Sequence, residues 1–257
     1  MLKKHPFVAL VSILAIRVAG FLYIQAAVVS MNPGADAFVT TGPANNLATN
    51  NYGGGGSLAL SATGSANGEF QSVLRFDTSA AKNTFDGLYG TNSWSLQSVT
   101  LQLSASAVNN AIFNANNAGS FGVSWMQNDG WTEGSGTPSA PGTSGITSQS
   151  LQSTFINPGA DEALGTFSYD GSSAGTFIYA LSISPNLAAD LLAGDSVSLR
   201  LSGADSAVSF LFNSRSFGTV ANRPLLGITA VPEPGVLALF ALAGLLCAIR
   251  KWMWSRH

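Results

Sequence analysis

Leu96-Gln97-Ser98-Val99-Thr100-Leu101-Gln102-Leu103 alternates between apolar and polar side chains, sending Val99, Leu101 and Leu103 to one face and Ser98, Thr100 and Gln102 to the other. A period of two is that of a β-strand with one face buried and one in water. Outward from this stretch, short apolar runs recur between clusters of Gly, Ser, Thr and Asn, as they do in sandwiches and barrels. Strands are predicted near 37–40, 58–61, 70–76, 96–104, 121–126, 164–169, 177–183, 197–201, 208–212 and 225–229. One segment departs from this pattern. Pro185, then Leu187, Ala188, Leu191 and Leu192 at helical spacing, ended by Gly194, predicts one short helix capping the sandwich.

The two ends read differently. Lys3 and Lys4 precede an apolar stretch from Phe7 to Ile16, the charged and hydrophobic regions of a secretory signal. Arg17 interrupts it and the apolar run resumes to Val29, so residues 1–30 are a signal peptide or an uncleaved signal anchor. Ala26 and Ala27 offer one cleavage site, and Ala35-Asp36-Ala37 offers another. At the other end Val231-Pro232-Glu233-Pro234-Gly235 precedes an apolar run of 14 residues, Val236 to Ile249, and then Arg250, Lys251 and Arg256 with Trp252 and Trp254. Each proline fixes φ and lacks an N–H, so the triplet is expected to end any strand and form a stiff spacer. The run falls short of the roughly 20 residues that span a hydrocarbon core. Its cationic end suits the cytoplasmic side of a membrane, and the tryptophans suit the interface.

This tail resembles the PEP-CTERM sorting signal of exported bacterial proteins, and the order of its parts carries the likeness. The resemblance implies recognition of residues 231–257 by an exosortase-like membrane enzyme, after the secretion machinery has delivered the chain to the inner membrane. It implies a product at the cell envelope, cell surface or extracellular matrix.

Residues 31–230 then form the exported body. It carries five of the 11 Lys and Arg (Arg75, Lys82, Arg200, Arg215, Arg223) against twelve of the 13 Asp and Glu, a formal net charge of −7. Phosphate binding rests on clustered cations, so a nucleic-acid partner is not expected. His5, His257 and Cys247 all lie in the terminal segments. The body therefore has no Ser-His-Asp or Cys-His nucleophile, no His- or Cys-ligated zinc and no disulfide.

The run Asn51-Tyr52-Gly53-Gly54-Gly55-Gly56 is not a phosphate loop, because no Lys follows it and the next element alternates like a strand. It reads as a flexible loop. With Asn50-Asn51-Tyr52-Gly53 come Leu74-Arg75-Phe76-Asp77, the strand from Ser98 to Leu103, Trp131-Thr132-Glu133-Gly134, Phe212-Asn213-Ser214-Arg215 and Arg223-Pro224-Leu225. Their order resembles DNRLRE-type domains, secreted or surface modules similar to carbohydrate-binding jelly rolls. That implies an all-β, jelly-roll-like β-sandwich and polysaccharide as a partner. Gly136-Thr137-Pro138 stands where that family usually has a Thr-Trp pair.

Candidate site residues follow from charge and ring chemistry. Arg75 and Asp77 share a strand face, and Arg75, Asp77, Glu133 and Arg215 are expected to form a structural ion-pair network, since the guanidinium fork bonds carboxylates in bidentate fashion. Trp131 is a candidate glycan contact beside Asp129 and Glu133, whereas Trp125, on an alternating strand, reads as core. No catalytic residue is assigned. The alternative, a secreted carbohydrate-active hydrolase, would have to use Asp129 with Glu133 or Asp161 with Glu162. No cofactor is assigned. Asp36, Asp77 and Asp205 are the candidate ligands for Ca²⁺, but no dense acidic loop supports such a site.

Overall fold

The computed structural model describes residues 25–106, 112–113, 118–233 and 246. Most of the signal segment, and the tail from Pro234 on, with Gly235, Arg250 and Lys251 and with Leu246 excepted, lie outside the described residues.

The described residues build two antiparallel sheets. One contains, in spatial order, β1 (Ala27–Met31), β11 (Leu225–Pro232), β5 (Trp94–Ser104) and β8 (Thr176–Leu181). The other runs β10 (Ser209–Asn213), β3 (Ser57–Ser61), β4 (Phe70–Asp77), β9 (Ser196–Gly203), β6 (Gly119–Met126) and β7 (Glu162–Tyr169), with β2 (Ala35–Thr40) also paired to β4. In β5, Val99, Leu101 and Leu103 are buried and the residues between them are not, as the alternation requires. The core of this sandwich is aromatic. Phe121 meets Tyr179 edge-on at 5.1 Å, and Tyr169 meets Phe210 at 4.7 Å and Phe212 at 5.0 Å, geometries in which ring edges face ring π-clouds.

A second apolar layer covers part of the larger sheet's outer face. Ala35, Ala37 and Val39 of β2, Val73 of β4 and Met126 of β6 are packed under Trp131, Ile146 and Leu151 from the long β6–β7 connection. A single helical turn, Ser148–Ser150, runs into a π-helical turn, Leu151–Phe155, which supplies part of that cover. The Thr147 side chain accepts from Ser150 N and Ser150 Oγ accepts from Thr147 N, a reciprocal cap that fixes the turn's start.

Three expectations are corrected. More than one helix is present: besides α2 (Pro185–Ala193), ended by Gly194 at φ 76°, there is α1 (Ser79–Tyr89), started by Asp77 Oδ1 accepting from Ser79 N. The strands begin at Ala27, inside the segment read as signal. They also extend to Pro232: a strand's last residue can forgo its donor, and the next N–H, that of Glu233, donates to Ser93 O at 2.9 Å.

The chain divides into two compact units. The described part of the smaller one is 25–27, 85–95 and 230–233. Within it Phe85 packs on Trp94 at 5.0 Å, and Trp94 Nε1 donates to Asp86 Oδ1. The Tyr89 hydroxyl lies 2.7 Å from Gln25 O and 3.3 Å from Ala230 O. Gln25, the first described residue, and Ala230, near the end of β11, therefore meet at one side chain. Among the described residues no helix is long and apolar enough to cross a membrane.

Candidate functional site

The best-connected polar residue is Asn51, which is fully buried. Its Nδ2 donates to Glu133 O and Ile146 O, both at 2.7 Å, and its Oδ1 accepts from Gly53 N and Gly136 N. Its backbone pairs with Gly142 in both directions. An amide offers two donors and an acceptor with two lone pairs, and here all are used. The glycine-rich run is thus a packed junction, not the flexible loop expected from composition. Tyr52 stacks on Phe38 at 4.9 Å, and a Cβ on Gly53 would lie 2.0 Å from Glu133 O.

That junction delivers Glu133 to Arg215. Arg215 Nε donates to both carboxylate oxygens, at 2.9 and 3.1 Å, and Nη2 adds a third bond. The Arg215 backbone N–H donates to Asp36 Oδ2 at 2.6 Å. Asp36 is 2% exposed, and burial pushes its carboxyl up to about 7 despite that bond. Arg75 lies elsewhere: its guanidinium sits 5.0 Å over the Trp131 ring and donates to the carbonyls of Asp129 and Trp131. Asp77 is spent on the start of α1. Of the four residues expected in one network, the structure brings together only Glu133 and Arg215.

Trp131 is corrected as a glycan contact. It is 0% exposed, with one ring face under Arg75 and its N–H donating to Ser198 Oγ, so no ring face is open to a ligand. Trp125 is also buried. The carboxylates weighed for hydrolysis are committed to local structure. Asp161 accepts from Gln127 N and Asn157 N, Glu162 accepts from Asn186 N, and Glu133 holds Arg215. Asp129 is the least committed: burial raises its pKa against hydrogen bonding from Ser198, and its buried Oδ1 has no partner. Asp36, Asp77 and Asp205 do not converge, and among the described residues no three metal-ligating side chains cluster. Of the sorting residues, Val231 and Pro232 end β11 and Glu233 follows it; these three are described.

Two features were not found from sequence. An open cavity of about 500 Å³ is lined by uncharged residues, apolar surface included, among them Thr41, Asn45, Ala48, Thr49, Gln149 and Gln152. One wall is the turn Pro43–Asn45, where Ala44 and Asn45 hold left-handed φ values of 51° and 64°. Non-glycine residues there cost about 1 kcal/mol or more each. The second is Arg200, half-buried in β9, whose Nε is buried without a hydrogen-bond partner. Its signal was legible in part: a lone cation within a strand whose neighbours Leu199 and Leu201 are core residues. The chain matches no protein-family model and no curated protein.

Proposed function

We propose that this is an exported, non-enzymatic surface or matrix protein that binds polysaccharide through a jelly-roll β-sandwich and is sorted through its Pro-Glu-Pro tail. The observation that carries the sorting part is the meeting of the two ends. Gln25 and Ala230 share the Tyr89 hydroxyl, so the described residues nearest the two apolar segments lie side by side. One bilayer can then receive both, with the charged residues beyond them on its cytoplasmic side.

Strand order supports the jelly roll. Strands β1, β4, β5, β6, β7, β8, β9 and β11, counted 1 to 8, read 1-8-3-6 across one sheet and 2-7-4-5 across the other. Every link except 4-5 passes from one sheet to the other, the winding of paired Greek keys. β2, β3 and β10 extend the second sheet. The uncharged lining of the cavity supports a hydroxyl-rich ligand, and commitment of most carboxylates to structural bonds supports binding over hydrolysis.

The test uses the protein recovered from the surface of producing cells. Glycan-array binding without hydrolysis is expected. Turnover that Asp129→Asn abolishes would replace this reading with the hydrolase, and an intact C-terminus at His257 would remove the sorting part.

A further inference from the structure

The outer face of the larger sheet is apolar and covered at one end, polar and open at the other. Strand register sets the rows. Arg75, Ser198 and Met126 form the row next to Trp131; Val73, Arg200 and Ser124 form the next; Ser202 and Gly122 continue outward, with Thr166 opposite Gly122 and Ser168 opposite Ser120. Thr166 and Ser168 are exposed, and a Cβ on Gly122 would meet only Ser202 Oγ, at 3.8 Å. The result is a flat strip of hydroxyls beside a guanidinium.

Polar groups beside this strip are left over. Arg200 Nε has no partner, and burial pulls the guanidinium below its ordinary pKa. Gln71, on the same face of β4, is 5% exposed; its Nε2 donates to Glu69 Oε1 at 2.7 Å, while its buried Oε1 has no partner. A buried polar atom without a partner costs about 1–3 kcal/mol, so two near one open surface are unusual unless a ligand completes them. Asp161, whose oxygens are fixed by two backbone N–H groups, and Glu69 act on Arg200 electrostatically. Glu69 is also bonded twice to Thr41, which lines the cavity described above.

We infer that this strip, centred on Arg200 with Gln71, Glu69 and Asp161, is the contact site for a neutral glycan. Arg200 donates to ring or hydroxyl oxygens, Glu69 and Asp161 accept from hydroxyl protons, the buried Gln71 amide holds Glu69 in place, and the Ser/Thr/Gly floor lets a sugar chain lie flat. One cation beside two carboxylates leaves the site formally negative, which disfavours uronates. The inference rests on the polysaccharide-binding reading and names its site.

The experiment titrates the full exported protein with cellohexaose and mannohexaose as neutral probes and with hexagalacturonate, by calorimetry, after a wider glycan array. Wild type is expected to bind a neutral glycan. Arg200→Leu should weaken binding at least tenfold while leaving Tm unchanged or higher, because it removes an unpaired, half-buried charge. Gly122→Leu, which has room for its Cβ, should block binding without unfolding. Wild-type binding that both variants retain would overturn the site and leave the polysaccharide reading intact. Selective binding of hexagalacturonate would overturn the neutral class, and a fall in Tm for Arg200→Leu would make Arg200 structural. No binding to any array glycan would remove the polysaccharide reading and this site with it.

Discussion

Asn51 holds four backbone groups with one side chain, so its removal leaves two buried carbonyls and two N–H groups without partners. Asn51→Ala is expected to cost about 3 kcal/mol and lower Tm by about 10 °C. Asn51→Asp should be worse, because a carboxylate would face the Glu133 and Ile146 carbonyls. A thermal scan showing shifts under about 2 °C would contradict this. Asp36 gives a pH prediction. Its folded pKa of about 7 lies above its unfolded value of about 3.9, so the folded state keeps a proton that the unfolded state releases between these limits. Its contribution is therefore fully present below about pH 4 and falls as pH rises, by up to about 4 kcal/mol once pH passes 7. Asp36→Asn keeps an acceptor for Arg215 N and removes the titration. Urea unfolding at pH 5 and pH 8 should show the variant gaining on wild type at pH 8, and parallel curves would refute the assignment.

Glycines within one short run differ at the level of the element. Gly53 lies against Glu133 and Gly136 against Asn51, each so close that an added Cβ would fall 2.0 Å from a backbone oxygen. Gly56 has open space around it and only a left-handed φ of 74°. Gly56→Ala should cost about 1 kcal/mol from that conformation, whereas Gly53→Ala should cost several times more by forcing apart the β2–β3 and β6–β7 connections. Denaturation midpoints for the pair decide this. Composition could not separate the two, because their difference lies in what comes across from residues 133–136. The same limit explains what else was missed. Alternation showed β5, β6 and β9 because each turns one face to the core, whereas β4 is buried on both faces from Phe70 to Leu74 and alternates only over its last residues; β1 sits at the end of an apolar run and reads as a continuation of it. α1 contains Asn83, Thr84 and Gly87, poor helix formers, and was not predicted. The Glu133–Arg215 pair was legible as charge chemistry, while the burial of Trp131 depends on a sheet face that sequence periodicity assigns to water.

At the scale of the whole molecule, the strands limit where the chain can be cut. Ala35-Asp36-Ala37 fits a signal-peptidase pattern, yet it lies within β2, all six of whose residues are buried. Cleavage after Ala37 would remove β1, leave β4 without the paired half of β2 from Ala35 to Ala37, and take Asp36 from Arg215. It would also strip Ala35 and Ala37 from the layer under Trp131. Cleavage after Ala26 leaves every strand whole. At the other end, a cut before Val231 would shorten β11, whereas a cut beyond Glu233 keeps its bond to Ser93. On the proposed sorting reading, the mature protein is therefore expected to begin no later than Ala27 and to end no earlier than Glu233. Intact-mass and terminal-peptide spectrometry on surface-extracted protein reads both ends at once. A mature N-terminus at Phe38 would mean that β1 and half of β2 are dispensable, and the folded body would then have to close its first sheet with β11 at the edge.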